Sequence, residues 1–137
     1  MPDHQPGPDQ PLPPNPERQS LGNDSGNDDR HTTVERLRLA MRDFVAERNW
    51  EKFHNAKNLS MSLAIEAGEL MEHFQWLTTE EVLKGDKLDR AGICDELADV
   101  LSYALSMANA LEIDITQAIE QKMVKNRKKY PKPPSAT

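Results

Sequence analysis

A single cysteine, Cys94, excludes an internal disulfide framework. It lies within an apolar-periodic stretch and is expected to pack as a small hydrophobe in a reducing compartment. No apolar run approaches the ~20 residues of a membrane span. Basic residues are also short, 17 Lys and Arg against 23 Asp and Glu, for a formal net charge of -6. Neutralising a nucleic-acid polymer needs the opposite balance, which argues against a non-specific nucleic-acid binder. The N-terminus lacks both the basic-then-apolar pattern of a signal peptide and the acid-poor character of a transit peptide. A cytoplasmic protein with no membrane partner is expected.

Helical periodicity is what remains, and 137 residues leave room for one domain. Residues 1–31 are rich in Pro, Asp, Asn and Gly, and bury too little to offset chain entropy, so a disordered tail is predicted. Residues 32–132 form the expected domain, followed by a flexible end over 133–137. Thr33 fits an N-cap, with Leu37, Met41, Phe44 and Val45 at helical spacing as far as about Arg48. After the aromatic segment Trp50-Glu-Lys-Phe-His54, the chain is predicted to restart as a helix around Asn55 to Asn58 and to run to about Trp76. Its stripe is Leu59, Leu63, Ala67, Leu70 and Phe74. Gly68 within it suggests close approach by a helix or ligand, since a helical glycine costs about 1 kcal/mol. Thr78-Thr-Glu-Glu81 reads as a capping box opening a short third helix closed at Gly85. The fourth, from about Asp86 to Leu111, has Ile93, Leu97, Val100, Ala104, Ala108 and Leu111 as its stripe. Asp114 with Gln117 reads as a further capping box, opening a last helix to about Lys129, which Tyr130-Pro131 ends. With no convincing strand pattern, the fold class is all-α, resembling a four-helix bundle.

Two carboxylate pairs stand out, Glu66-Ala-Gly-Glu69 and Glu96-Leu-Ala-Asp99. Residues three apart lie about 60° apart on a helix, so each pair shares one face and borders an apolar stripe. Hard carboxylate oxygens suit Mg²⁺ or Mn²⁺, and such ions complete their shells with water and substrate phosphates. Surface charge paired with lysine or arginine is the alternative use of such residues. The Glu-x-x-His spacing of a di-iron bundle occurs once, at Glu51-Lys-Phe-His54, off the carboxylate helices; that centre needs it twice. Tyr103, four residues after Asp99, is either a core residue or a ligand-stacking one. His73, four after Glu69, fits a half-buried histidine or an outer group of the site. Trp50, Phe53 and Trp76 suit stacking on a planar base or packing at helix ends. Lys122 and Asn126, one turn apart on the last helix, could meet phosphate or sugar oxygens. The basic run Lys125 to Lys129 also complements that helix's C-terminus.

Taken together, these segments resemble the all-α nucleoside triphosphate pyrophosphohydrolases of the MazG-like superfamily, and within it the dCTP pyrophosphatase group. The resemblance runs from about residue 34 to 132. It is carried by Phe44 to His54, Glu66 to Trp76, Asp95-Glu-Leu-Ala-Asp-Val-Leu-Ser-Tyr103 and Lys122 to Pro131. It implies Mg²⁺ (Mn²⁺ as a substitute) held by Glu66, Glu69, Glu96 and Asp99, the catalytic set. It implies a nucleotide site lined by Trp50, Glu51, Lys52, Phe53, His54, Trp76 and Tyr103, with Lys122 and Asn126 on phosphate or sugar. It further implies a homo-oligomer, usually a tetramer of paired dimers. The expected reaction is hydrolysis of dCTP or a modified dCTP to monophosphate and pyrophosphate, in nucleotide-pool house-cleaning. A dUTP-preferring or broad-range hydrolase, and a non-catalytic nucleotide-sensing protein, are the alternatives. Two departures bear on base preference. Met41 replaces a nucleotide-contacting histidine, and His73 replaces a leucine.

Overall fold

The Thr33 hydroxyl accepts from the Arg36 N–H and opens α1, Val34–Glu47. This is the first element of the computed structural model, which describes residues 28–133. The tail expected over residues 1–31 and the flexible end over 133–137 therefore lie largely outside the described residues. Asp28 to Thr32, at the junction, form a turn in which the Asp28 carboxylate accepts from the Arg30 and His31 amides. Four further helices follow: α2 (Ala56–Glu72), α3 (Thr79–Lys84), α4 (Arg90–Ala110) and α5 (Ile115–Lys129). A 3-10 turn, Glu51–Phe53, lies between α1 and α2. No strand occurs among the described residues. The all-α expectation holds.

The caps explain where the boundaries move. The Asn55 side chain accepts from the Asn58 N–H, so α2 begins at Ala56. It stops at Glu72, and Phe74 to Trp76 turn away although their apolar spacing continues the helix pattern. Thr78 and Glu81 make the expected capping box. Gly85 then takes the left-handed conformation, φ 74°, which only glycine adopts without penalty. Residues 86–88 are consequently outside α4, whose cap is Asp89. Asp114 caps α5 by accepting from the Gln117 N–H, but the Gln117 amide reaches the Asp114 carboxylate and not its backbone, so this box is incomplete.

Helices α2 and α4 form the main pair, with α1 on α4 as the second contact. Residues near position 66 face 96 and 99, while His73 faces Gly92, so α2 and α4 run antiparallel. Arg38 joins α1 to the far end of α4: its Nε donates to Asn109 Oδ1 at 3.0 Å, and its carbonyl accepts from Asn109 Nδ2 at 2.9 Å. Val45, Leu59, Tyr103 and Ala108 are the buried apolar residues. Helix α5 has no comparable packing on α1, α2 or α4.

Three expectations about burial change. Cys94 is exposed. Leu97 and Leu111 are exposed too. Cys94, Leu97 and Leu101 sit at i, i+3 and i+7, so α4 carries a second apolar stripe pointing away from α2. Met61 and Ile65 leave a similar exposed strip on α2. A Cβ on Gly68 would meet nothing within 4 Å, so no element of this chain approaches it closely.

The Arg38–Asn109 exchange, with Arg38 Nη2 also donating to the Ala108 carbonyl at 3.3 Å, ties α1 to α4, and removing Asn109 strands part of the Arg38 side chain. Asn109→Ala is expected to lower stability by about 1–3 kcal/mol. A urea melt read by far-UV circular dichroism checks it, with a lower midpoint and an unchanged slope.

Candidate functional site

Glu66 lies seven residues, two helical turns, after the buried Leu59, and so occupies a core-facing position of α2. It is 2% exposed. Across the helix interface, Glu96 and Asp99 present their pair from α4. Oxygens of Glu66, Glu96 and Asp99 all lie within 4.8 Å of one another. The fourth expected member, Glu69, is outside this three-oxygen set. It lines an open cleft of about 420 Å³ with Glu72, His73, Gln75 and Glu96.

The electrostatics follow from crowding acids in a half-dry space. Burial, and then the charges of Asp99, Glu69 and Glu96, push the Glu66 carboxyl up to about 7. Burial and the charges of Glu69 and Asp99 also raise Glu96, while His73 pulls it back. A hydrogen bond joins Glu66 to Glu96, so the two carboxyls share a proton. The charges that raise Glu66 are all carboxylates. Such a group is costly to bury ionised unless a cation offsets it. A cluster of hard oxygens with this deficit of positive charge fits a divalent metal ion.

His73 enters this region because residue 92 is glycine. A Cβ there would lie 2.5 Å from the His73 ring and 2.6 Å from the Asp89 carboxylate. The α2 end is thereby packed directly on the first turn of α4.

The aromatic segment forms a separate wall. Asn49, at φ 53°, reverses the chain after α1; asparagine tolerates this left-handed geometry better than most residues. Trp50 then packs edge-on against Phe44, with ring centres 6.0 Å apart. Asn58 Nδ2 donates to the Phe53 carbonyl at 3.1 Å, tying the turn to α2. Glu51 and His54 line a cavity of about 470 Å³ with Met41, Val45, Ala46, Ser106 and Asn109. Lys52 is exposed beside the Phe53 ring. Tyr103 is buried on α4 between Asp99 and Ser106. Trp76 is 86% exposed beyond the end of α2.

Lys122 and Asn126 line neither the acidic cleft nor this cavity. The cavity residues Ser106 and Asn109, small polar groups on α4, stand in no motif of the sequence. Ser106, seven residues after Asp99, carried a usable signal in its register.

Comparison with known proteins identifies the family. The model of the MazG-like family matches residues 61–136. The dCTP pyrophosphatase 1 of Bos taurus is 41% identical over 101 residues, covering 72% of this chain and 60% of that protein. The human dCTP pyrophosphatase 1 is likewise 41% identical, over 72% of this chain and 59% of its own length. The chain thus spans about 60% of the length of these curated relatives. The crystal structure of a pyrophosphatase from Archaeoglobus fulgidus superposes with a TM-score of 0.69 at 39% identity. That likeness covers 74% of this chain and 95% of the other. With all four acids inside the matched region and the helical fold shared, the chain belongs to the MazG-like family.

Proposed function

We propose that the protein is a metal-dependent nucleoside triphosphate pyrophosphohydrolase that converts dCTP, or a modified dCTP, to the monophosphate and pyrophosphate. The observation that carries the reading is Glu66, a buried carboxylate facing Glu96 and Asp99 and raised by burial and by the neighbouring acids. The names and identities of the relatives support the substrate class. Glu66, Glu96 and Asp99, with Glu69 beside them, are the residues that would hold Mg²⁺, or Mn²⁺ in its place. The chemistry a bound divalent ion supplies is neutralisation of triphosphate oxygens and acidification of water.

The chain's own groups do the rest. Glu69, outside the three-oxygen set and lining the cleft, accepts a proton from the attacking water at its carboxylate. The Trp50–His54 turn forms a wall for the base, and the exposed Trp76 provides a second aromatic surface that can close over it. Lys122 and Asn126 meet phosphate or sugar once a second copy of the chain brings α5 to the cleft. The exposed apolar strips on α2 and α4 provide surface for such a copy, in a dimer or a tetramer of paired dimers. No helix among the described residues is long and apolar enough to cross a membrane. That fits a cytoplasmic role in clearing unwanted nucleotides.

Glu66→Gln and Asp99→Asn are each expected to reduce Mg²⁺-dependent pyrophosphate release by roughly 100-fold or more while circular dichroism stays native. Turnover retained in both variants contradicts the assignment.

The raised carboxyl also sets a pH dependence. Between about 4.5 and 7 the folded protein holds a proton on Glu66 that the unfolded chain releases. Stability therefore falls as pH rises through this window. Without metal, the melting temperature should be higher at pH 5 than at pH 8, and Glu66→Gln should flatten the difference. Added Mg²⁺ should raise the melting temperature more at pH 8 than at pH 5.

A further inference from the structure

Gly92, Asp99 and Ser106 follow one another at seven-residue intervals on α4, so they share one helix face at steps of about 10 Å. Each marks a different surface. Ser106 lines the cavity beside the 3-10 turn, Asp99 belongs to the carboxylate cluster, and Gly92 carries the His73 ring. The carboxylates therefore stand between the aromatic wall and His73.

The open cleft next to the cluster is one-sided in its hydrogen bonding. Glu69, Glu72 and Glu96 line it with carboxylates, while the His73 ring and the Gln75 amide are its donors. Among the described residues, neither donor has a hydrogen-bond partner. The His73 ring is nonetheless firmly seated. Its residue closes α2, with the backbone N–H donating to the Met71 carbonyl. The ring rests on α4 where a Cβ at residue 92 would stand only 2.5 Å away. The Asp89 carboxylate flanks the same spot and is held there by the Gly92 N–H, which donates to it at 3.1 Å. From this seat His73 is close enough to Glu96 to pull that carboxyl down.

We infer that His73 binds the pyrophosphate end of the triphosphate, its ring N–H donating to an oxygen of the phosphates farthest from the base. The inference rests on the nucleotide reading above and deepens it by assigning the residue that holds the part released as pyrophosphate. With the base at the aromatic wall and the phosphates at the carboxylates, a triphosphate lying along α4 turns its free end toward residue 92. Phosphate oxygens accept hydrogen bonds, which the neighbouring carboxylates cannot supply when ionised. Imidazole donates in both of its charge states, so the contact does not depend on titration. Glu72, the remaining acid of the cleft, is exposed, and water and salt screen its charge. A donor at one end also gives the site a direction, since a carboxylate cluster alone does not tell one end of a polyphosphate from the other.

The test is product inhibition of dCTP consumption at saturating Mg²⁺, with inorganic pyrophosphate or dCMP added. In His73→Leu the inhibition constant of pyrophosphate should rise about tenfold or more, and that of dCMP should change by less than about twofold. The KM for dCTP should rise with the first. A merely structural defect at the end of α2 would weaken both products alike. Both constants unchanged, or both raised equally, in the folded variant overturns the inference and leaves the hydrolase reading standing. Should His73→Leu fail to fold, crystals of the parent protein grown with Mg²⁺ and pyrophosphate decide the matter. A ring nitrogen of His73 within hydrogen-bond distance of a pyrophosphate oxygen is expected, and a ring that touches no phosphate overturns the inference. No turnover of any triphosphate by the parent protein overturns both readings.

Discussion

Placing the Glu66 carboxylate inside the α2–α4 interface is the constraint on which the rest of the arrangement turns. Helix pairs are ordinarily closed by apolar side chains, and Leu59 on the same face of α2 does this two turns earlier. At Glu66 the stripe is interrupted by an acid, and the facing positions on α4 are acids too. Desolvation and like charge then act in one direction, and the pair accommodates by keeping a proton on Glu66. The same interface that stabilises the fold thus stores an electrostatic deficit, which a divalent ion would relieve. Stability and the proposed chemistry are coupled at one carboxylate.

Helix α4 links the regions of the site. From its first turn, where Gly92 admits His73, it carries the acid pair, then Tyr103 in the core, then Ser106 in the cavity wall. Asn109 finishes the series by gripping Arg38 of α1. The 3-10 turn depends on that grip as well, because Val45 of α1 accepts from the Trp50 N–H at 3.1 Å. Misplacing α1 on α4 would therefore move the aromatic wall relative to the carboxylates.

Much of this was legible in the sequence where the physics is local. Thr33 and Thr78 announce their caps because a hydroxyl accepting a backbone N–H needs only the residues nearby. The acid pairs were visible because a spacing of three fixes one helix face. Their mutual approach was not legible. That Glu66, Glu96 and Asp99 meet while Glu69 stands aside depends on how α2 and α4 are rotated about their axes. The ends of α2 and α4 were misjudged because apolar spacing continues through Trp76, and because Gly85 reverses the chain before Asp89 can cap. Cys94 and Leu97 were expected in the core, since one stripe per helix was assumed where α4 carries two. The hydrogen bond from His54 Nδ1 to the Trp50 carbonyl, four residues back, was not legible either, because it depends on how the turn after α1 folds.

The central claim, that the carboxylate cluster is a metal centre, is tested most directly by anomalous scattering from crystals grown with Mn²⁺. The account predicts a strong anomalous peak between the carboxylates of Glu66, Glu96 and Asp99, at metal–oxygen distance, which disappears in crystals of Glu66→Gln. Absence of that peak at saturating Mn²⁺, or a lysine or arginine occupying the space between the three carboxylates, would contradict it.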